Sequence, residues 1–175
     1  MSQPKIYCIG LNKTGTTSLH QAFGILGLKS MHDSYKAGAL IEAAIQGNLK
    51  LMHYMEDYDA FSDYPFFRYY KELDLEYPGS KFILNTRDSE DWVGSRVRHD
   101  LDWSSKNPDK PRRVNDKQKL LSFKESVEGD IRKYFQNRPS DFLVFDISVG
   151  DSWDKLCGFL NTAIPSTPFP YENRH

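Results

Sequence analysis

The chain has 175 residues, 23 Lys and Arg against 24 Asp and Glu, 39% hydrophobic and 14% aromatic side chains, and a mean hydropathy of -0.63. Such a chain is long enough for one packed domain spanning 1–175 and rich enough in bulky side chains to exclude wholesale disorder, while two large domains are disfavoured. No apolar run approaches the roughly 18 residues of a membrane helix, and no charged segment leads into an apolar stretch with a cleavage site, so a cytoplasmic protein without a membrane partner is expected.

The net charge of -1 hides an asymmetry. Residues 1–30 carry three Lys and no acid, and residues 96–138 hold twelve basic and seven acidic side chains; the intervening 31–95 hold six and twelve, and 139–175 two and five. The basic residues are mixed with acids rather than forming a stripe, so a nucleic-acid partner is not expected. A small anionic ligand near the amino terminus fits the pattern better. Cys8 and Cys157 stand far apart in apolar surroundings and read as buried free thiols, and no cluster has the spacing of metal ligands.

In chain order, the apolar run 6–9 ends at Gly10 and predicts a buried strand. After the loop 11–15, Leu19, Phe23 and Leu26 recur at helical spacing over 16–26. A second helix is predicted over 35–49, a strand over 58–63 and a helical segment over 65–77 that stops at Tyr77-Pro78-Gly79. Residues 81–86 read as a strand, followed by a helix starting at Ser89, with Ser89 as its cap. Residues 104–113 form the long loop, a possible lid. A charged helix over 115–137, a strand over 142–145, a helix over 152–160 with Trp153, Leu156, Cys157 and Leu160 on its apolar face, and an extended tail over 165–175 complete the chain. Alternating strands and helices predict an α/β fold of three layers, α/β/α, around a mostly parallel sheet that binds ligands beyond the carboxyl ends of its strands.

The chemistry concentrates in Gly10-Leu11-Asn12-Lys13-Thr14-Gly15-Thr16-Thr17-Ser18. A Gly-bounded loop between strand and helix turns backbone N–H groups, and the helix amino terminus, toward an anion. Lys13 adds a full charge, and Thr16, Thr17 and Ser18 add hydroxyl donors. Gly10 and Gly15 have the separation of the nucleotide-triphosphatase loop, but Thr16 stands where that loop has Lys.

Lys-Thr-Gly-Thr-Thr-Ser after an apolar strand resembles the 5′-phosphosulfate loop of sulfotransferases. Arg87, at the end of the 81–86 strand, and Ser95, eight residues on, resemble the pair with which that family holds the 3′-phosphate of 3′-phosphoadenosine 5′-phosphosulfate. Asp63-Tyr64-Pro65, the run from Tyr77 to Asp88, and Trp153 to Leu160 followed by Pro168-Phe169-Pro170 extend the resemblance along nearly the whole chain, least over 97–125. It implies a P-loop fold, the phosphosulfate donor without a metal, a small-molecule or glycan acceptor, and donor contacts from Asn12, Lys13, Thr14, Gly15, Thr16, Thr17, Ser18, Arg87 and Ser95. The late Gly-x-x-Gly-x-x-Lys segment of the steroid and phenol enzymes is missing; Lys110, Arg112, Arg113 or Arg174 could replace its contact.

In this scheme Lys13 offsets charge on the departing phosphate oxygen, and the resemblance puts the base in the region of Asp63. Asp63 has two readings, a base for the acceptor's proton or a cap for the helix after Pro65. His32, His53 and His99 are substitute bases. Trp92, Trp103, Phe66, Phe67, Tyr69 and Tyr70 either line the acceptor pocket or build the core. A small kinase using Mg-ATP, with Asp146 ending the last strand, and a non-catalytic nucleotide-binding protein of the same fold are the competing functions.

Overall fold

Successive side chains of a strand point to opposite faces, and this chain uses that period to build two apolar layers from one sheet. The computed structural model describes residues 4–32, 41–43, 46, 56–110 and 116–172. Five strands, β1 (Ile6–Cys8), β2 (Ser30–His32), β3 (Ala60–Ser62), β4 (Lys81–Asn85) and β5 (Phe142–Phe145), form one sheet in the order β2-β3-β1-β4-β5. All four pairings are parallel; Ile6 lies opposite Ala60 on one side and Lys81 on the other.

Tyr7, Phe61, Phe82 and Leu84 point to one face, where they meet Leu73 of α2 (Tyr70–Glu76) and Ile131 and Phe135 of α4 (Lys117–Phe135). Cys8, Ala60, Ile83 and Phe145 point to the other, against Leu19 and Phe23 of α1 (Thr16–Ile25) and Leu156 and Cys157 of α5 (Trp153–Leu160). The architecture is the expected three-layer α/β/α. Both cysteines are free and buried, and burial pushes the Cys8 thiol far up. A smaller cluster of Leu11, Trp92 and Val93 seats α3 (Ser89–Lys106) beyond the carboxyl end of the sheet. β1 lies between β3 and β4, and the chain crosses from one side of it to the other in passing from β3 to β4, which opens a crevice at the end of β1.

Several boundaries differ from the sequence expectation. Residues 41–43 and 46 are helical, and the rest of the expected 35–49 helix lies outside the described residues. β2 was not anticipated, because Ser-Met-His is too short to show a period. The 65–77 segment divides into a 3-10 turn, Phe66–Arg68, and α2. Asp88, not Ser89, caps α3: its carboxylate accepts from Glu90 N at 2.9 Å and Asp91 N at 3.1 Å, a charged acceptor in the cap position ahead of a hydroxyl. Residues 104–106 belong to α3 rather than to a loop, held by Lys106 reaching Asp102 and by the Ser105 hydroxyl donating to the Asp102 carbonyl. Asp116 caps α4. The tail has no regular element through residue 172, yet Phe169 packs on Phe145 and Trp153, whose indole donates to the Thr167 carbonyl at 2.7 Å.

α2 is tied to the turn before β5 by Asp74. Its carboxylate accepts from both terminal nitrogens of Arg138, at 2.5 and 2.9 Å, and from the Tyr134 hydroxyl at 2.8 Å. Desolvation pushes the Asp74 carboxyl up, but these hydrogen bonds and the charge of Arg138 outweigh it and hold it below its ordinary range. A carboxyl depressed by folding contributes stability that is present above the unfolded value of roughly 4 and lost as pH falls through the folded one. Asp74→Asn is therefore expected to lower stability by about 1–2 kcal/mol at neutral pH, with Arg138 one-third exposed and partly screened. Denaturant titrations at stepped pH check this: the gap to the parent protein should close below about pH 4, and a gap that persists unchanged in acid contradicts it.

Candidate functional site

The loop between β1 and α1 is shaped by contacts from below. Gly10 N donates to the Asn85 side-chain oxygen at 2.9 Å, and the Asn85 amide nitrogen donates to the Thr14 hydroxyl at 2.6 Å. Asn85 is fully buried at the end of β4. A Cβ on Gly10 would sit 1.8 Å from the Asn85 carbonyl oxygen, so only glycine lets the two strand ends approach. The loop then turns through left-handed Lys13 (φ 68°) and Gly15 (φ 89°), and the Trp92 indole donates to the Asn12 carbonyl at 2.9 Å. Thr16 opens α1, so the first amides of that helix face the crevice with no acidic residue in its first turn.

Above the loop lies a cavity of about 960 Å³. Every site residue expected from sequence borders it: Asn12, Lys13, Thr14, Gly15, Thr16, Thr17 and Ser18 on its floor, Asp63 on one wall, Arg87 and Ser95 on another. Not all present a free side chain to it. The Thr14 hydroxyl is turned inward, accepting from Asn85 and donating to the Leu11 carbonyl, which leaves its backbone N–H for a ligand. Ser18 Oγ accepts from Glu172 N at 2.9 Å, so the tail closes one side of the cavity and leaves the hydroxyl proton available.

Arg87 is one-quarter exposed, and its terminal nitrogen lies 4.0 Å from the exposed Asp91 carboxylate. Its Nε is buried and has no hydrogen-bond partner among the described residues. Such a donor costs free energy unless something in the cavity accepts from it. Beneath it, a buried pair from α4 fastens the end of β4: Lys124 Nζ lies 2.7 Å from Glu128 Oε1, and both bond the Thr86 hydroxyl, at 3.2 and 2.7 Å.

Asp63 follows β3 with a φ of 76°. Among the described residues its Oδ1 accepts from the adjacent Tyr64 N, at 2.8 Å, and Pro65 occupies the cap position of the next turn with no side-chain cap, so the cap reading is not realised. Oδ2 instead lies 3.3 Å from Thr16 Oγ1 and 3.6 Å from His32 Nε2. His99 also borders the cavity, beside the buried Asp100; His53 lies outside the described residues. Of the aromatic candidates, Trp92, Trp103 and Phe67 line the cavity, while Phe66 and Tyr70 belong to the core. Tyr69 bonds Glu42, and its phenol is pushed up to about 12 by burial and that carboxylate.

The possible lid is not seen in residues 104–110, which do not line the cavity among the described residues; Lys110 lies with them, and Arg112, Arg113 and Arg174 lie outside the described residues. Sequence reasoning missed Asn85 and the Lys124–Glu128 pair, which brace the residues around the cavity, and the tail's Tyr171 and Glu172, which line it. Only Asn85 carries a signal, as the polar residue closing the run Phe82-Ile83-Leu84.

A family model described as the sulfotransferase domain matches residues 5–108 and 102–175. No curated protein matches the chain.

The loop's dependence on Asn85 is testable apart from any ligand. Asn85→Ala leaves the buried Gly10 N–H and the Thr14 hydroxyl without their partner, at a cost of about 1–3 kcal/mol. Calorimetry should show the melting temperature lower by several degrees, roughly 2–4 °C per kcal/mol at this size; an unchanged midpoint would show that the clamp does not hold the loop.

Proposed function

Since the chain belongs to the sulfotransferase domain family, we propose that it transfers a sulfonate group from 3′-phosphoadenosine 5′-phosphosulfate to a hydroxyl or amine of a small-molecule or glycan acceptor. The observation that supports the choice of donor is Arg87, whose buried Nε has no partner among the described residues, on the wall of the cavity that the Lys13 loop floors. Lys13 on the floor and Arg87 on the wall, two of the four Lys and Arg side chains that line the cavity, match a nucleotide phosphorylated at both its 3′ and 5′ positions.

The residues present fit that donor. The backbone N–H groups of 14–18, the amino terminus of α1 and the Thr17 and Ser18 hydroxyls are the groups for the 5′ end. Arg87 and Ser95 are the groups for the 3′-phosphate. When bound, the donor supplies an activated sulfonate on a phosphate leaving group. Lys13 offsets the charge that develops on the departing oxygen, a preorganised electrostatic contribution. Asp63, on the wall beside Thr16, takes the acceptor's proton as general base. Tyr64 and Phe67, next to Asp63 in the chain and in T-shaped contact, form the acceptor's side of the cavity. The enclosure holds acceptor and donor in line, which converts much of the entropic barrier into binding.

Titration calorimetry tests the donor. 3′-Phosphoadenosine 5′-phosphate should bind without magnesium and Mg-ATP should not. Arg87→Ala should weaken the bisphosphate nucleotide about 10- to 100-fold, the worth of hydrogen bonds to a charged group. Lys13→Ala should lower transfer of labelled sulfonate at least about 100-fold with little change in melting temperature. Tight Mg-ATP binding without affinity for the bisphosphate nucleotide would instead favour a small kinase.

A further inference from the structure

Four basic side chains line the cavity: Lys13, Arg68, Arg87 and Arg96. The donor reading uses Lys13 and Arg87, and Arg96 is neutralised by the buried Asp100, 2.9 Å from its Nε. Arg68 is left over. It ends the 3-10 turn Phe66–Arg68 that follows Asp63, and among the described residues it has no ion pair. Its guanidinium carbon instead sits 5.4 Å from the centre of the Tyr64 ring and 5.6 Å from that of Phe67, within the reach of a cation–π contact. Two aromatic rings thus hold a planar cation in place and leave its fork of N–H donors without an acid.

The wall around Arg68 is aromatic. Tyr64 meets Phe67 with centroids 6.5 Å apart, and Phe67 meets Phe123 of α4 at 6.4 Å, both edge to face. Phe67 packs against the Leu11 and Trp92 cluster, whereas Phe123 is 45% exposed. Phe67, Arg68 and Phe123 also border a second, smaller depression of about 420 Å³, so the apolar wall continues past the cavity's edge. A ring left this open is stabilised when a ligand's ring covers it. Glu42, behind this wall, is engaged by hydroxyls: it accepts from Tyr69 at 2.8 Å and from Tyr64 at 3.4 Å.

We propose that the acceptor is a hydroxylated ring compound bearing a carboxylate, and that Arg68 is the residue that selects it. The proposal rests on the reading of this side of the cavity as the acceptor's. Tyr64 stands between the two ends of such a molecule: its backbone N–H donates to Asp63 and its ring carries Arg68. The ring lies along Phe67 and Phe123, its hydroxyl toward Asp63 and its carboxylate toward Arg68, where a planar fork matches a planar anion. As the hydroxyl oxygen bonds to sulfur and the sulfur–oxygen bond to phosphate breaks, the proton goes to Asp63; the carboxylate takes no part in the bond changes. One uncommitted cation suits a singly charged group, since Asp63, Asp146 and Glu172 already place acids around the cavity and a further dianion would lack compensation. An arene and a uronic acid share this chemistry, because both present an apolar ring face to aromatic side chains.

Ligand-observed NMR reads weak binding without turnover and tests this on the protein with and without saturating 3′-phosphoadenosine 5′-phosphate. The probes are two matched pairs: hydroxyphenylpropanoate with its amide, and methyl glucuronoside with methyl glucoside. The carboxylate should bind about 10-fold tighter than its neutral mate in at least one pair, and the pair that shows the preference identifies the ring. Arg68→Gln should abolish the preference, and Arg68→Lys, which keeps the charge but not the fork, should retain part of it. The readout is a ratio within one protein, so a general loosening of the wall does not imitate it. In transfer of labelled sulfonate, the loss in Arg68→Gln should fall on KM for the carboxylate acceptor rather than on kcat. Equal binding within both pairs, no binding of any probe, or a preference that survives Arg68→Gln overturns the proposal. If the bisphosphate nucleotide fails to bind while the Arg68-dependent preference remains, the donor reading falls and the carboxylate site stands.

Discussion

A single buried amide, that of Asn85, holds the ligand loop to the sheet. It accepts from the first amide of the loop and donates to the hydroxyl in the loop's middle, and its backbone comes so close to Gly10 that no side chain fits there. Both polar ends of a fully buried amide are thereby satisfied, which makes the arrangement specific as well as stabilising. The rest of the loop follows from this anchor: Trp92 fixes Asn12 from α3, and Ile147 lies where a side chain on Gly15 would project, with its terminal carbon 2.6 Å from the position of an added Cβ.

The parallel sheet turns this local clamp into a site. Strands that run the same way end together, so the residues following β1, β3 and β4 meet in one crevice without long-range design beyond the strand order. Lys13, Asp63 and Arg87 are separated by tens of residues in sequence yet border one cavity. The acid-free first 30 residues acquire a meaning from this placement, since the cations that count are those delivered to strand ends. Several basic residues of 96–138 are paired with acids away from the cavity, for example Lys106 with Asp102 and Lys124 with Glu128.

Much of this is legible in the sequence. The β1–loop–α1 unit announces itself through two glycines and the apolar residues on either side of them, and β5 through four consecutive apolar residues whose bounds the structure reproduces. Arg87 could be placed at the mouth because it directly follows an apolar strand. What stayed hidden depends on contacts distant in sequence. β2 is too short to carry a period, and each of its residues pairs with one of β3 30 residues away. The 104–106 segment looks like loop from its polar composition, but it continues α3, with Ser105 and Lys106 bonding back to Asp102 one turn earlier. Asp63 is ambiguous in sequence because a carboxylate before Pro suits a cap; the structure directs its second oxygen to Thr16 instead. The closeness of His32 to Asp63 could not be read at all, since it arises from the register of β2 on β3.

The central claim is that one cavity holds two anionic ends of one nucleotide, at the Lys13 loop and at Arg87. A crystal structure of the protein grown with 3′-phosphoadenosine 5′-phosphate tests it most directly. The account predicts one phosphate over the backbone N–H groups of residues 14–18 and the other within hydrogen-bond distance of Arg87 Nε and Ser95. A nucleotide bound with either phosphate away from these groups, or an Arg87 Nε still without a partner, would contradict it.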